Sequence, residues 1–375
     1  MHLVDATMFF CHRGGGVKQY LLAKHAWLRA RAVPIRHTLL VPGPLSGFSD
    51  VQTCAGPAIP LGGGYRFPLS VARWRDALVR LAPDLIEAGD PYVVGVAARA
   101  AARRLGIPAV AFFHSDVPRM LEQRLGPWVG GLARGYLRKL YAGFDLVLAP
   151  SVTMLDKLEA WGVRNTALQP LGVDTQIFSP ARRDPAVRRA LGMSDDTRLL
   201  VYAGRFSREK NLHVLTGAVE KLGRPYHLLL VGADRFHRPS PRVTQLPYES
   251  DAHRLAALLA SCDALVHAGD QETFGLIVIE GMACGLPVAA VGIGGTKELV
   301  DDAVGVLVPR PDVAEMAAAI RALFERDRRS VGAEARARVL HSYSWDVAFG
   351  RLLQHYARLA GRAIGSRGSL AHAGR

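Results

Sequence analysis

The chain has 375 residues, 49% of them hydrophobic and 21% charged, a composition that buries a sizeable core and fits two domains of ordinary size. No apolar run reaches the roughly 18–20 residues of a membrane-spanning helix, and the first ten residues carry Asp5 but no basic cluster, so a cytoplasmic location without a secretory leader is expected. Cys11, Cys54, Cys262 and Cys284 are scattered without C-x-x-C spacing, which gives no sign of a zinc site or a disulfide framework, and the net charge of +14 points to anionic partners.

Residues 2–10 (HLVDATMFF) read as a buried strand, 11–16 (CHRGGG) as a glycine-rich loop, and 17–31 as a helix with Tyr20, Leu21, Lys24, Trp27 and Leu28 near helical spacing. Strands follow at 37–41, 84–87, 109–113 and 145–149, mostly separated by helical stretches. The pattern restarts with a strand at 198–203, a Gly204–Arg205 turn and a helix from about 211. Further strands are expected at 227–231, 242–246, 263–267, 287–291 and 305–308. Such alternation predicts parallel sheets covered on both faces. The expected organisation is a first α/β domain over 1–170, a connection rich in Pro, Asp and Arg over 171–197, and a second α/β domain over 198–341. An amphipathic helix over 342–361 and a disordered tail over 362–375 complete it. Ligands of such sheets sit beyond the carboxyl ends of the strands.

The richest stretch is 272–291, ETFGLIVIEGMACGLPVAAV. Glu272 precedes a turn that feeds a helix, and Glu280 lies about two turns further on. The N–H groups of Phe274, Gly275 and Leu276 would be unpaired helix N-terminal donors, suited to a diphosphate or to sugar hydroxyls. Arg205 and Lys210 in AGRFSREKN (203–211) offer a planar fork and a point charge to phosphate. Taken singly, each of these also reads as an ordinary surface turn or a helix-terminal acid.

Together these strings resemble glycosyltransferase family 4, a retaining family with the GT-B fold. LQPLGVDTQIFSP (168–180), GIGGTKELV (292–300) and VLAPSVTMLDKLEAWGV (147–163) extend the resemblance over roughly residues 10–356. It implies two Rossmann-like domains facing a central cleft, with the C-terminal helix returning to the N-terminal domain. It implies that Glu272 contacts the donor sugar and Glu280 the ribose, that Arg205 and Lys210 hold the diphosphate, and that His114 in FFHSD contacts the sugar and supports the reaction. Gly15 and Gly16, in the Gly14–Gly16 run, match the loop that approaches the donor phosphates or the acceptor, and Gly204 belongs to the donor loop. Two departures stand out. Ala268-Gly269 replace the proline usual before the Glu motif, and no D-x-D triplet occurs. Neither a metal nor another cofactor is therefore expected, the nucleoside-diphosphate sugar being a substrate.

Segment 113–151 and segment 246–267 resemble the subgroup that glycosylates membrane lipids, including mannosyl- and sulfoquinovosyltransferases. GDP-mannose is the favoured donor on that ground, a UDP-sugar the next. Segment 99–139 holds eight basic residues and two acidic ones, and Gly126-Pro127 and Gly130-Gly131 are expected to break its helix. A basic amphipathic stretch with Met120, Leu121, Leu125, Trp128, Leu132, Tyr136, Leu137 and Leu140 suits an anionic membrane surface, although a core-facing helix pair gives the same pattern. A transferase acting on a polysaccharide or small metabolite, a GT-B epimerase and a non-catalytic sugar-nucleotide binder remain as alternatives. No nucleic-acid-binding module is recognisable.

Overall fold

The structure is a computed structural model; it describes residues 1–372 except 13–14, 44–50, 55 and 233–239, with side chains described to residue 361. The chain divides into two compact units, Met1–Pro170 with Phe349–Arg375, and Leu171–Ala348.

In the first unit, β1 (His2–Ala6), α1 (Gly16–Ala30), β2 (Arg36–Pro42) and β3 (Val51–Cys54) are followed by a small antiparallel pair, β4 (Ala58–Pro60) and β5 (Arg66–Pro68). Then come α2 (Val71–Leu81), β6 (Leu85–Ala88), α3 (Val93–Leu105), β7 (Ala109–Phe112), α4 (Val117–Leu125), α5 (Pro127–Tyr141), β8 (Leu146–Ala149), α6 (Val152–Ala160) and β9 (Thr166–Leu168). The seven-stranded sheet has the order β3-β2-β1-β6-β7-β8-β9 and is parallel throughout. Fully buried Leu3, Val4, Ile86, Val110 and Val147 explain why these strands read as near-continuous apolar runs. β1 stops at Ala6 and not at residue 10. Beyond it, Asp90 Oδ2 accepts from the Met8 amide at 2.8 Å and from Thr7 Oγ1 at 3.2 Å, so this backbone pairs with a side chain where a strand would pair with its neighbour.

The second unit contains α7 (Pro185–Ala190), β10 (Arg198–Ala203), α8 (Leu212–Leu222), β11 (Tyr226–Val231), β12 (Val243–Leu246), α9 (Ala252–Ala260), β13 (Ala264–His267) and α10 (Leu276–Ala283). After these come β14 (Val288–Val291), α11 (Thr296–Leu299), β15 (Gly305–Val308), α12 (Val313–Glu325) and α13 (Arg328–Ser342). Its six strands are also all parallel, in the order β12-β11-β10-β13-β14-β15. Residues 171–197, read from the sequence as a connection, are built into this unit. The Arg336 guanidinium donates to the carbonyls of Thr175, Phe178 and Ala283 at 2.5–2.9 Å.

The last helix, α14 (Trp345–His372), runs eleven residues past 361, where the sequence reading ends it; no proline interrupts 362–372. Residues 373–375 of the expected tail lie outside the described residues. From Phe349 onward α14 belongs to the first unit, and a buried polar knot ties it there. Lys24, 1% exposed, contacts Asp5 Oδ2 at 2.7 Å and Glu87 Oε1 at 2.9 Å, and donates to Tyr356 Oη at 3.2 Å. Tyr20 Oη and Tyr356 Oη both donate to Glu87. Burial raises the Asp5 carboxyl, but Lys24 and His37 outweigh it and hold the group below its usual range. Two acids thus share one buried ammonium, to which Tyr356 of α14 is also bonded.

α4 and α5 form a helical pair. Gly126, at φ +95°, separates them and Pro127 opens α5, so the predicted break occurs there. Gly130-Gly131 do not break α5. Gly130 is where the two helices touch, since a Cβ there would fall 2.7 Å from Glu122 Cβ. The segment has two unlike faces. Leu137, Leu140 and Tyr141 are buried, whereas Met120, Leu125, Trp128, Leu132 and Tyr136 are exposed, Trp128 at 76%. Trp128, Leu132 and Tyr136 follow one another at i+4, and Leu137 lies half a helical circumference from Trp128. Arg124, Arg138 and Lys139 are exposed beside them. Among the described residues, no helix is long and apolar enough to cross a membrane.

Candidate active site

β10 and β13 are neighbours at the centre of the second sheet, paired at Leu200↔Ala264 and Val201↔Leu265. The winding reverses between them, with β11 on one side and β14 on the other. At such a switch point the loops leaving two adjacent strands diverge and leave room for a ligand. The loop after β10 carries Gly204, Arg205 and Lys210. The loop after β13 carries Glu272, Phe274 and Gly275 and feeds α10, which holds Leu276 and Glu280. All the donor-half residues predicted from the sequence are therefore on two loops and one helix at one end of one sheet.

Gly204 has φ +152°, and a Cβ on Gly232 would fall 2.0 Å from its carbonyl oxygen, so the chain turns out of β10 where no side chain fits. Arg205 follows, exposed, its carbonyl accepting from Tyr202 Oη at 3.1 Å. Asn211, at φ +50°, ends the loop and donates from Nδ2 to the Ala268 carbonyl at 3.1 Å. The Asp270 amide donates to the Glu209 carbonyl at 3.3 Å. These two bonds staple the loops together, and between them Lys210 Nζ pairs with Glu272 Oε1. His267 Nε2 lies 3.0 Å from the same oxygen. Burial pushes the Glu272 carboxyl up, but the Lys210 charge and the His267 hydrogen bond outweigh it and hold the group well below the usual carboxylate range.

The Glu272 turn rests on a second glycine loop, residues 292–295. The Gly295 amide donates to the Glu272 carbonyl at 2.9 Å. A Cβ on Gly295 would fall 2.5 Å from Phe274 Cα, and one on Gly294 2.2 Å from the Glu272 carbonyl oxygen. Phe274 is buried and packs edge-on against Tyr343. Gly275, at φ +108°, is the N-cap of α10. Among the described residues the N–H groups of Phe274, Gly275 and Leu276 have no backbone acceptor. Glu280 lies inside α10, 7% exposed, and burial alone pushes its carboxyl up to about 8.

The remaining predicted residues are in the first unit. Gly15 caps α1, its amide donating to Tyr65 Oη at 3.3 Å and its carbonyl accepting from the Gln19 amide at 3.2 Å, and Gly16 is the first residue of the helix. Gly14 lies outside the described residues. His114 follows β7, stacked on Phe112 at 4.1 Å and edge-on to Tyr20 at 5.4 Å. Burial, with Lys24 nearby, pulls its pKa down to about 3, so the imidazole is neutral at physiological pH. Sequence reasoning passed over His267, which sits in an apolar strand, and Asn211, which reads as an ordinary turn residue.

The second-unit site presents an exposed guanidinium, an ammonium beside a carboxylate and helix-terminal N–H groups. It is suited to a ligand with an anionic centre flanked by hydroxyls. Residues 184–338 match the family described as Glycosyl transferases group 1, and residues 14–177 match Glycosyltransferase Family 4. Over 303 residues the chain is 35% identical to a GDP-mannose-dependent alpha-mannosyltransferase of Mycolicibacterium smegmatis, with 79% of each chain covered. The chain belongs to glycosyltransferase family 4. This glycosyltransferase is also 29% identical over 387 residues to a GDP-mannose-dependent alpha-(1-6)-phosphatidylinositol dimannoside mannosyltransferase of Mycobacterium tuberculosis, with 98% of each chain covered. The structure of Anabaena HepE in complex with UDP and glucose matches it with a TM-score of 0.76 at 20% identity, over 95% of this chain and 99% of that one. The glycosyltransferase thus has the GT-B fold of two Rossmann-like units, and it is an enzyme that uses a nucleotide-sugar donor.

Proposed function

We propose that this glycosyltransferase moves mannose from GDP-mannose to a hydroxyl of a membrane lipid, with retention of anomeric configuration and without a metal ion. The observation that carries the donor site is the convergence of Arg205, Lys210 and Glu272 on the loops of β10 and β13. Arg205 and Lys210 hold the diphosphate, aided by the N–H groups at Phe274, Gly275 and Leu276. Negative charge grows on the departing diphosphate, and fixed cations favour that state over the ground state. They also take the place of the ion that a D-x-D motif would bind. Glu272 accepts from hydroxyls of the sugar, and Glu280 faces the ribose. His114, neutral, hydrogen-bonds the sugar. Gly204 lets the donor phosphates approach the backbone of its loop, and Gly15 and Gly16 take the phosphate or acceptor role that the family resemblance gives them. The bond from the sugar to the phosphate breaks, the acceptor oxygen bonds to the same face of the anomeric carbon, and its proton passes to the departing phosphate oxygen.

The names of the two mycobacterial relatives favour GDP-mannose, and one of them names a phosphatidylinositol-based acceptor. The α4–α5 pair supports a lipid acceptor. It carries five of the eleven exposed large apolar side chains among the described residues, next to exposed basic ones. Trp128, Leu125 and Leu132 would enter the headgroup boundary, with the cations on anionic phosphates. On this reading the enzyme works peripherally on the cytoplasmic face of the membrane. The test supplies GDP-mannose or UDP-glucose, each with labelled sugar, together with vesicles of phosphatidylinositol in phosphatidylcholine. Label from GDP-mannose alone should enter the organic phase, in an α-linkage by NMR. Trp128→Ala with Leu132→Ala should cut vesicle binding severalfold while leaving the affinity for GDP unchanged. Label entering only water-soluble acceptors would overturn the lipid assignment.

A further inference from the structure

His267 is fully buried at the last position of β13 and takes no part in the donor contacts proposed for this site. Its Nε2 contacts Glu272 Oε1, the oxygen that also receives Lys210 Nζ. Among the described residues Glu272 Oε2 receives no hydrogen bond. An ammonium is only a donor and an ionised carboxylate only an acceptor, so the imidazole must donate through Nε2–H. Its Nδ1 is buried with no partner among the described residues. Nε2 is therefore the ring nitrogen that carries the hydrogen bond to the carboxylate.

The neighbouring residue is shaped around this ring. A Cβ on Gly269 would fall 2.7 Å from His267 Cε1 and 3.3 Å from Nε2. The Ala268-Gly269 departure from the usual proline therefore goes with the histidine: the loop has no side chain at 269 because the imidazole occupies that space. The Asn211–Ala268 and Asp270–Glu209 bonds on either side fix the loop so that Lys210 and His267 reach one oxygen together.

We propose that His267 is a positioning residue for Glu272. With Lys210 it holds Oε1, so that the carboxylate is fixed in one rotamer and Oε2 is kept free for the donor sugar. The inference rests on the assignment of Glu272 to the sugar and goes beyond it by naming what aims the carboxylate. It also predicts where the effect stops. The nucleoside diphosphate does not need Oε2, whereas the sugar does.

The test compares His267→Leu, which keeps bulk and removes the donor, with His267→Gln, whose amide can replace Nε2–H. Donor kinetics are read with GDP-mannose and binding with GDP. In the leucine variant KM for GDP-mannose should rise about tenfold, the worth of roughly one hydrogen bond to a charged group. The acid limb of kcat/KM should move to higher pH, because the carboxylate loses a bond that favours ionisation. GDP affinity should stay unchanged, and glutamine should restore KM to within about threefold. Gly269→Ala, which crowds the ring without removing it, should shift KM in the same direction and serves if the leucine variant does not fold. An unchanged KM and acid limb in folded His267→Leu, or in folded Gly269→Ala if that variant stands in, or a glutamine variant no better than leucine, would overturn the proposal. Glu272→Gln is the control. If it leaves KM unchanged, the role of Glu272 itself fails; if it raises KM while His267→Leu does not, only the role of His267 fails.

Discussion

Arg205 and Lys210 carry the same charge but not the same structural burden. Lys210 neutralises a carboxylate that is largely out of water, whereas Arg205 is exposed. Lys210→Ala should therefore lower stability by roughly 1–3 kcal/mol, less than the roughly 3–5 that breaking a fully buried pair costs, and Arg205→Ala should leave it within about 0.5 kcal/mol. Both should reduce turnover, by about a hundredfold if the charge acts on the leaving diphosphate. Thermal unfolding beside steady-state kinetics separates the two effects. Glu280 poses the opposite case. Its carboxyl titrates near 8 in the folded chain against the ordinary 4.5, so the fold favours the protonated form. Stability from this group is complete below about 4.5 and is lost progressively as pH rises to about 8. Glu280→Gln should raise the Tm at pH 8, little at pH 5, and should weaken binding of GDP if the ribose contact is real. No pH dependence of the gain would mean the carboxyl is not so perturbed. At this scale the sequence was legible where residue types imply chemistry, as with Glu272, Arg205 and Lys210. It was not legible at His267, because a histidine in ALVH looks like one more buried strand residue, and only its contact with Glu272 reveals it.

The loops at the switch point are held by absent side chains as much as by bonds. Residues 292–295 touch the Glu272 turn at backbone distance, so Gly295→Ala should displace Phe274 and with it the Glu272 carboxylate. The expected outcome is a loss of activity at least tenfold larger than the loss of GDP binding, measured on folded protein. Equal losses would mean that the loop serves nucleotide binding instead. The parallel strands were readable because burial on both faces makes them apolar runs. β3 (VQTC) and β9 (TAL) were not, since each is a short strand at an edge of the first sheet and only partly buried. The two faces of α5 were readable as a pattern, but only the structure separates the buried Leu137 from the exposed Trp128.

Across the whole molecule, one design is used twice. Each unit builds a parallel sheet that winds outward in both directions from its first strand, so each has its switch point beside that strand. The chain then returns to the first unit through α14, tied by Tyr356 to Glu87 and Lys24. The repeat of the strand–helix pattern made the two-unit organisation legible from sequence. The polar knot was not, because Asp5, Lys24, Glu87 and Tyr356 are far apart in the chain and meet only after folding. The proposed function turns on one binding event, in which the second unit holds a nucleoside diphosphate through Arg205 and Lys210. Its most direct test is a thermal-shift titration of wild type and the Arg205→Ala/Lys210→Ala double variant with GDP and UDP, each with and without EDTA. A bound nucleotide should raise the wild-type Tm in a concentration-dependent way that EDTA does not change, with GDP acting at lower concentration than UDP, and the double variant should lose the shift. A shift of equal size in the double variant, or none in wild type, would contradict the assignment of this site.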